Sequence, residues 1–148
     1  MSKQLSEYTI TAKVSKNGSV KYLIHEQHRN TSFKNRKSQW LISESDEVAC
    51  FDNAYNSGWL DGSYVCWGLK IDTSNSLEVI GHATDNTELK IAKFVDSNNN
   101  EAWHGYPAHY QDKPQDRPSE SILSKWVVGN LISKSKMTKI LRGITCNL

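Results

Sequence analysis

Two histidines, His104 and His109, stand in the run Trp103-His-Gly-Tyr-Pro-Ala-His-Tyr-Gln-Asp-Lys-Pro-Gln-Asp-Arg-Pro118, which also holds all three prolines and two of the six tyrosines. Imidazole is the side chain suited to proton transfer near neutral pH, and a second histidine or a carboxylate can serve as its partner. Tyr106, Tyr110, Asp112 and Asp116 lie close by in sequence, and His82 ends an expected strand. These parts suit a metal-independent, RNA-directed hydrolase with His104 and His109 as its catalytic pair and His82 as a third member. The structural alternative is a proline-fixed loop in which His104 and Tyr106 bond to the backbone.

No spacing identifies a nucleophile, and the phosphate-binding glycine loop, the dinucleotide-binding glycine pattern, Gly-x-Ser-x-Gly and His-Glu-x-x-His are all missing. His25-x-x-His28, even with His104, His109 and Cys146, does not form a paired-ligand zinc pattern, so neither metal nor cofactor is expected. Cys50, Cys66 and Cys146 are odd in number and form no Cys-x-x-Cys pair, which fits reduced thiols. The N-terminus has no apolar signal core and no stretch is apolar enough to cross a membrane, so a cytoplasmic, bacterial-type protein is expected.

Charge is unevenly spread. The overall +2 divides into +6 over residues 1–40, −7 over 41–90 and +3 over 91–148. An acidic centre between basic ends, with Tyr55 and Trp59 in a Gly/Asn-rich stretch beside Asp52 and Asp61, resembles a face that steers toward a basic protein. On this reading Glu44, Asp46, Glu47, Asp52, Tyr55, Trp59 and Asp61 form the contact. The function it implies is a non-enzymatic binding protein that masks a basic partner, such as an immunity or antitoxin protein against a nuclease toxin.

Nucleic acid is the remaining candidate partner. Arg29, Lys34, Arg36 and Lys37 surround Phe33 in a segment without apolar period, a combination that meets phosphates while an aromatic stacks on a base. The tail supplies Lys134, Lys136, Lys139 and Arg142. From Ser133 to Gly143 it resembles the recognition helix of repressor-type helix-turn-helix domains, although Gly129 stands further ahead of the cap than those domains place it.

These residues require a scaffold. At 148 residues, with five Trp, six Tyr and three Phe, the chain fits one domain with one core. A period of two dominates residues 8–95 and predicts strands at Tyr8–Val14, Val20–Ile24, Gln39–Ser43, Val48–Phe51, Tyr64–Ile71, Leu77–His82 and Thr87–Val95, with Asn17-Gly18 as a hairpin turn. After Pro118 the period becomes helical. Asp116 is the expected N-cap of one helix carrying Ile122, Leu123 and Trp126, and Ser133 caps a second that ends at Gly143. The expectation is an α+β domain over 1–148: a β-rich part (1–96), a Pro/His/Tyr-rich loop (97–118) and a helical hairpin (119–143). The hairpin packs on an antiparallel β-meander of five to eight strands.

Overall fold

The computed structural model describes residues 10–14, 20–96, 99 and 101–148. Among these the chain is α+β, with nine strands, three α-helices and short 3-10 turns. The strands are β1 (Ile10–Val14), β2 (Lys21–His25), β3 (Gln39–Trp40), β4 (Leu60–Asp61), β5 (Val65–Gly68), β6 (Gly81–His82), β7 (Glu88–Leu89), β8 (Ile91–Val95) and β9 (Ala102–Ala108). The helices are α1 (Glu44–Asn56), α2 (Glu120–Val128) and α3 (Lys134–Leu141).

Six strands form one sheet in the order β1-β2-β9-β8-β5-β4, and three form a second in the order β3-β6-β7. This is not a simple meander. β2 lies parallel to β9, with Lys21 opposite Ala102 and Tyr22 opposite Trp103, so the first two strands are joined to the last strand. β1 and β2 pair antiparallel from Ile10 opposite His25 to Val14 opposite Lys21, while the Asn17-Gly18 turn lies outside the described residues.

Two segments depart from the sequence expectation. Val48–Phe51 is helical, within α1. Ser43 caps the helix by accepting from the Asp46 backbone N–H at 3.1 Å, and Glu44, Asp46 and Glu47 set negative charge at its positive end. Glu47, Cys50, Phe51 and Ala54 are buried at i, i+3, i+4 and i+7, a helical stripe that a short window hides.

The second departure is the presumed loop. Residues 102–108 form the longest strand, β9, between β2 and β8. Pro107 is tolerated there because the pairing of β2 with β9 ends at Tyr22 opposite Trp103. Its carbonyl accepts from Ser38 Oγ at 2.8 Å, which turns its nitrogen away from β8 as well. Gly105 is required by packing: a Cβ there would lie 2.2 Å from the Phe94 ring.

Tyr22, Phe51, Phe94 and Trp103 meet between α1 and the sheet. Phe51 is their hub, with ring centroids 5.2 Å from Tyr22, 5.4 Å from Phe94 and 5.5 Å from Trp103. In the same core Trp59 packs edge-on to Trp126 at 5.7 Å. α2 is capped by Ser119 rather than Asp116: Ser119 Oγ accepts from the Ile122 N–H and donates to Asp61 Oδ1. Ser133 caps α3 by accepting from the Lys136 N–H, and Gly143 follows the helix in a left-handed conformation, φ 68°. No helix among the described residues is long and apolar enough to cross a membrane.

Asp61 is a junction, since its Oδ2 also receives the Trp67 indole N–H at 2.7 Å. Asp61→Ala leaves that N–H and the Ser119 hydroxyl without their acceptor. The expected cost is about 1–3 kcal/mol in urea unfolding, with Ser119→Ala costing about 1 kcal/mol. An unchanged midpoint for Asp61→Ala would show that this junction contributes nothing to the fold.

Candidate functional site

β9 sorts its side chains by parity. Trp103, Gly105 and Pro107 face the core, while His104 and Tyr106 emerge on the opposite face. The end of β2 and the turn after it bring two more rings to that face. His25 stacks on His104 with centroids 4.1 Å apart and planes 4° from parallel, and His28 stacks on Tyr106 at 5.3 Å and 15°.

A cavity of about 260 Å³ opens beside these stacks. Its lining includes His28, His104, His109, Tyr106 and Asp116, and the cations Arg36, Lys37 and Lys113. Arg36 and Lys37 come from the basic loop, which is held at its other end by Arg29. The Arg29 guanidinium pairs with buried Glu47 at 2.7 Å and donates to the Ile42 carbonyl at 2.9 Å, so α1 anchors one wall of the cavity. Within the loop Arg36 lies over the buried Phe33 ring at 4.8 Å.

The opposite wall is set by Asp116. Its Oδ1 accepts from the Tyr106 hydroxyl at 2.7 Å and its Oδ2 from the His109 backbone N–H at 3.0 Å. Burial and the adjacent Asp116 carboxylate raise the Tyr106 pKa, which keeps its hydroxyl a donor. The His109 ring reaches Gln111 Oε1 at 3.1 Å through Nε2. Lys93, on the same sheet face as Tyr106, donates to the Gln115 carbonyl at 2.6 Å and ties the 114–116 turn to β8.

The imidazoles are held neutral. Burial depresses His28 to about 4, aided by charge on Lys37, His25 and His104. Burial likewise takes His104 to about 4, aided by His25, and lowers His25 itself. His28 and His104 thus line the pocket as uncharged, polarisable rings beside cationic side chains.

Residues expected to form separate sites are thus brought together: His104 and His109 share one cavity with Arg36 and Lys37. His82 does not line it. It lies on β6 opposite Gln39, half-buried. Of the expected acidic face, Glu47, Asp52 and Trp59 are buried, and Tyr55 packs against Phe51 and Trp103. Asp61 caps α2 through Ser119, leaving Glu44 and Asp46 exposed in the first turn of α1. Lys34, Lys134, Lys139 and Arg142 are exposed, and Lys136 is half-buried.

Sequence reasoning missed His28 and Lys113 as members of this site, and named Tyr106 and Asp116 only as neighbours of its histidines in sequence. The signal was weak but present: His104 and Tyr106 have the i, i+2 spacing of one strand face, and His25-x-x-His28 was read only as a metal pattern. Among the described residues no group of three or more His, Cys, Asp or Glu is placed to share a metal ion. Comparison with protein-family models, curated proteins and solved structures finds no match to this chain.

The histidines make stability depend on pH. His28 and His104 bind protons more weakly in the fold than in the unfolded chain, so their contribution is complete above about 6.5 and is lost as pH falls toward 4. Glu47, raised to about 7 chiefly by burial, acts in the opposite sense: its contribution is complete below its unfolded value and declines as pH rises through 7. Comparing wild type with His28→Gln/His104→Gln by urea unfolding isolates the imidazoles. Wild type is expected to lose more stability than the variant between pH 6.5 and 4.5. Parallel pH profiles would mean that the two rings titrate as freely in the fold as out of it.

Proposed function

We propose that the protein binds the phosphodiester backbone of a nucleic-acid strand in the cavity between the basic loop and β9, and cleaves it by imidazole acid–base chemistry. The observation that carries this reading is the shared lining. Arg36, Lys37 and Lys113 surround the same space as His28, His104 and His109.

A phosphate is the ligand that this combination suits. Cationic side chains neutralise it, and neutral imidazoles offer N–H donors and lone pairs without repelling it. The anion also changes the rings. A negative charge beside a desolvated imidazole favours its protonated form, so bound phosphate raises pKa values that are depressed in the empty pocket. Proton transfer is thereby strengthened when substrate is present.

The reading as a mask for a basic protein has less support. It drew on seven residues, of which Glu47, Asp52 and Trp59 are buried and Asp61 is engaged with Trp67 and Ser119. Glu44 and Asp46 alone remain as exposed acids of that set.

The test is cleavage and binding of single-stranded oligonucleotides in chelator-containing buffer. Cleavage is expected, falling roughly 100-fold or more in His104→Ala. Binding should weaken steeply with salt, and Arg36→Ala or Lys37→Ala should each reduce the salt slope by about 1. Binding that is absent at low salt, or unaffected by either substitution, would falsify the proposal.

A further inference from the structure

We infer that the substrate of this cavity is RNA in particular, cut through its own 2′-hydroxyl with His28 as the base and His104 as the acid. This inference rests on the phosphodiester reading of the same cavity.

His28 has the geometry of an oriented base. Its Nδ1 lies 2.8 Å from the Ser38 carbonyl, which can only accept, so Nδ1 carries the proton and the neutral ring presents a bare Nε2. Nε2 has no hydrogen-bond partner among the described residues. The ring is 6% exposed and lies flat on Tyr106, whose hydroxyl is fastened to Asp116. Rotating His28 would break both contacts.

His104 is placed differently. It is two residues before Tyr106 on the same face of β9 and backed by His25, and neither of its ring nitrogens is hydrogen-bonded to another described residue. Charge on His104 disfavours charge on His28, so the two rings hold one proton between them more readily than two. One proton on two imidazoles is the starting state for concerted acid–base transfer.

Two carboxylates line the cavity, exposed Asp112 and buried Asp116, and the buried one is already occupied. Both Asp116 oxygens accept hydrogen bonds within the fold, which leaves Asp116 poorly placed to activate a water or to attack phosphorus. A nucleophile carried by the substrate removes that requirement. His28 Nε2 takes the proton of the 2′-hydroxyl, and the 2′-oxygen bonds to phosphorus. The bond from phosphorus to the 5′-oxygen breaks, its electron pair leaves with that oxygen, and the His104 imidazolium supplies the proton. The products are a 2′,3′-cyclic phosphate and a 5′-hydroxyl. His28 ends protonated and His104 neutral, and exchange with solvent resets the pair.

The experiment incubates the full chain with an RNA oligonucleotide and with its 2′-O-methyl and 2′-deoxy counterparts, following products by phosphorus NMR. Cyclic phosphate from RNA alone is expected, with at least a roughly 100-fold loss in His28→Gln and in His104→Gln. Binding of the 2′-deoxy oligonucleotide should persist in His104→Gln. Cleavage of either analogue at a comparable rate, a terminal monophosphate formed without the cyclic intermediate, or no cleavage of RNA would overturn the inference. Binding of the 2′-deoxy strand separates the two levels. If it binds through Arg36 and RNA is cut without a cyclic product, the 2′-hydroxyl route alone is lost; if it does not bind, or if RNA is not cut at all, both readings go. Should His28→Gln fail to fold, His104→Gln and the 2′-O-methyl strand still decide the matter.

Discussion

The burial of Glu47 is the constraint on which the rest of the structure depends. A carboxylate 1% exposed in the middle of an aromatic core costs several kcal/mol unless its oxygens are engaged. Here one oxygen accepts from the Tyr22 hydroxyl of β2 and the other from the Arg29 guanidinium. Three segments that are far apart in the chain are thereby fixed to one point: α1, the strand that joins the sheet in parallel, and the start of the basic loop. Phe51, one turn further along α1, completes the attachment by filling the space among Tyr22, Phe94 and Trp103. Hydrophobic contact supplies most of the stabilisation of such a core. The Glu47 bonds add direction, because only one placement of α1 satisfies both of its partners.

The site follows from that placement through β9. A strand in the middle of a sheet must give one face to the core, and Trp103, Gly105 and Pro107 do so. His104 and Tyr106 are then obliged to emerge together on the other side. Because β2 is held beside β9 by Tyr22, its continuation brings His25 and His28 over those two residues as ring-on-ring stacks. Stacking excludes water from the ring faces, and the same exclusion disfavours the imidazolium. The fold therefore makes the rings neutral by the same contacts that position them.

How much of this was legible in sequence differs from element to element. The tail was clear, because Ser133 and Gly143 are local capping signals that act within a few residues of themselves. α1 was hidden because Val48–Phe51 also satisfies a short strand window; its distinguishing sign was Ser43 ahead of three acids, which local apolar alternation does not register. β9 was hidden by its prolines, which ordinarily argue against a central strand. What overrides them is non-local: β2 stops pairing before Pro107 is reached. The acids of residues 44–61 looked like a surface because charge is usually solvated, yet Glu47 falls on the buried stripe of α1 and Asp52 is buried as well. The site was legible in its parts and not in its assembly. Nothing between Lys37 and His104 announces that they line one cavity, since the connection runs through sheet order.

That assembly also explains why neither the histidines nor the basic loop would suffice alone. Cations on an exposed loop hold a phosphate only as part of a mobile, salt-screened atmosphere. Imidazoles depressed to about 4 are weak bases in the empty pocket. Put in one cavity, each corrects the other. On the proposed reading the cations would keep a phosphate beside the rings, and its charge would make a proton on those rings less costly. Asp116, whose charge would compete with the phosphate for the cations, is turned to Tyr106 and the His109 backbone instead. The pocket thus keeps its one buried carboxylate engaged and His28 and His104 uncharged. In the proposed function the charge of the ligand itself would set the protonation state of the groups that act on it.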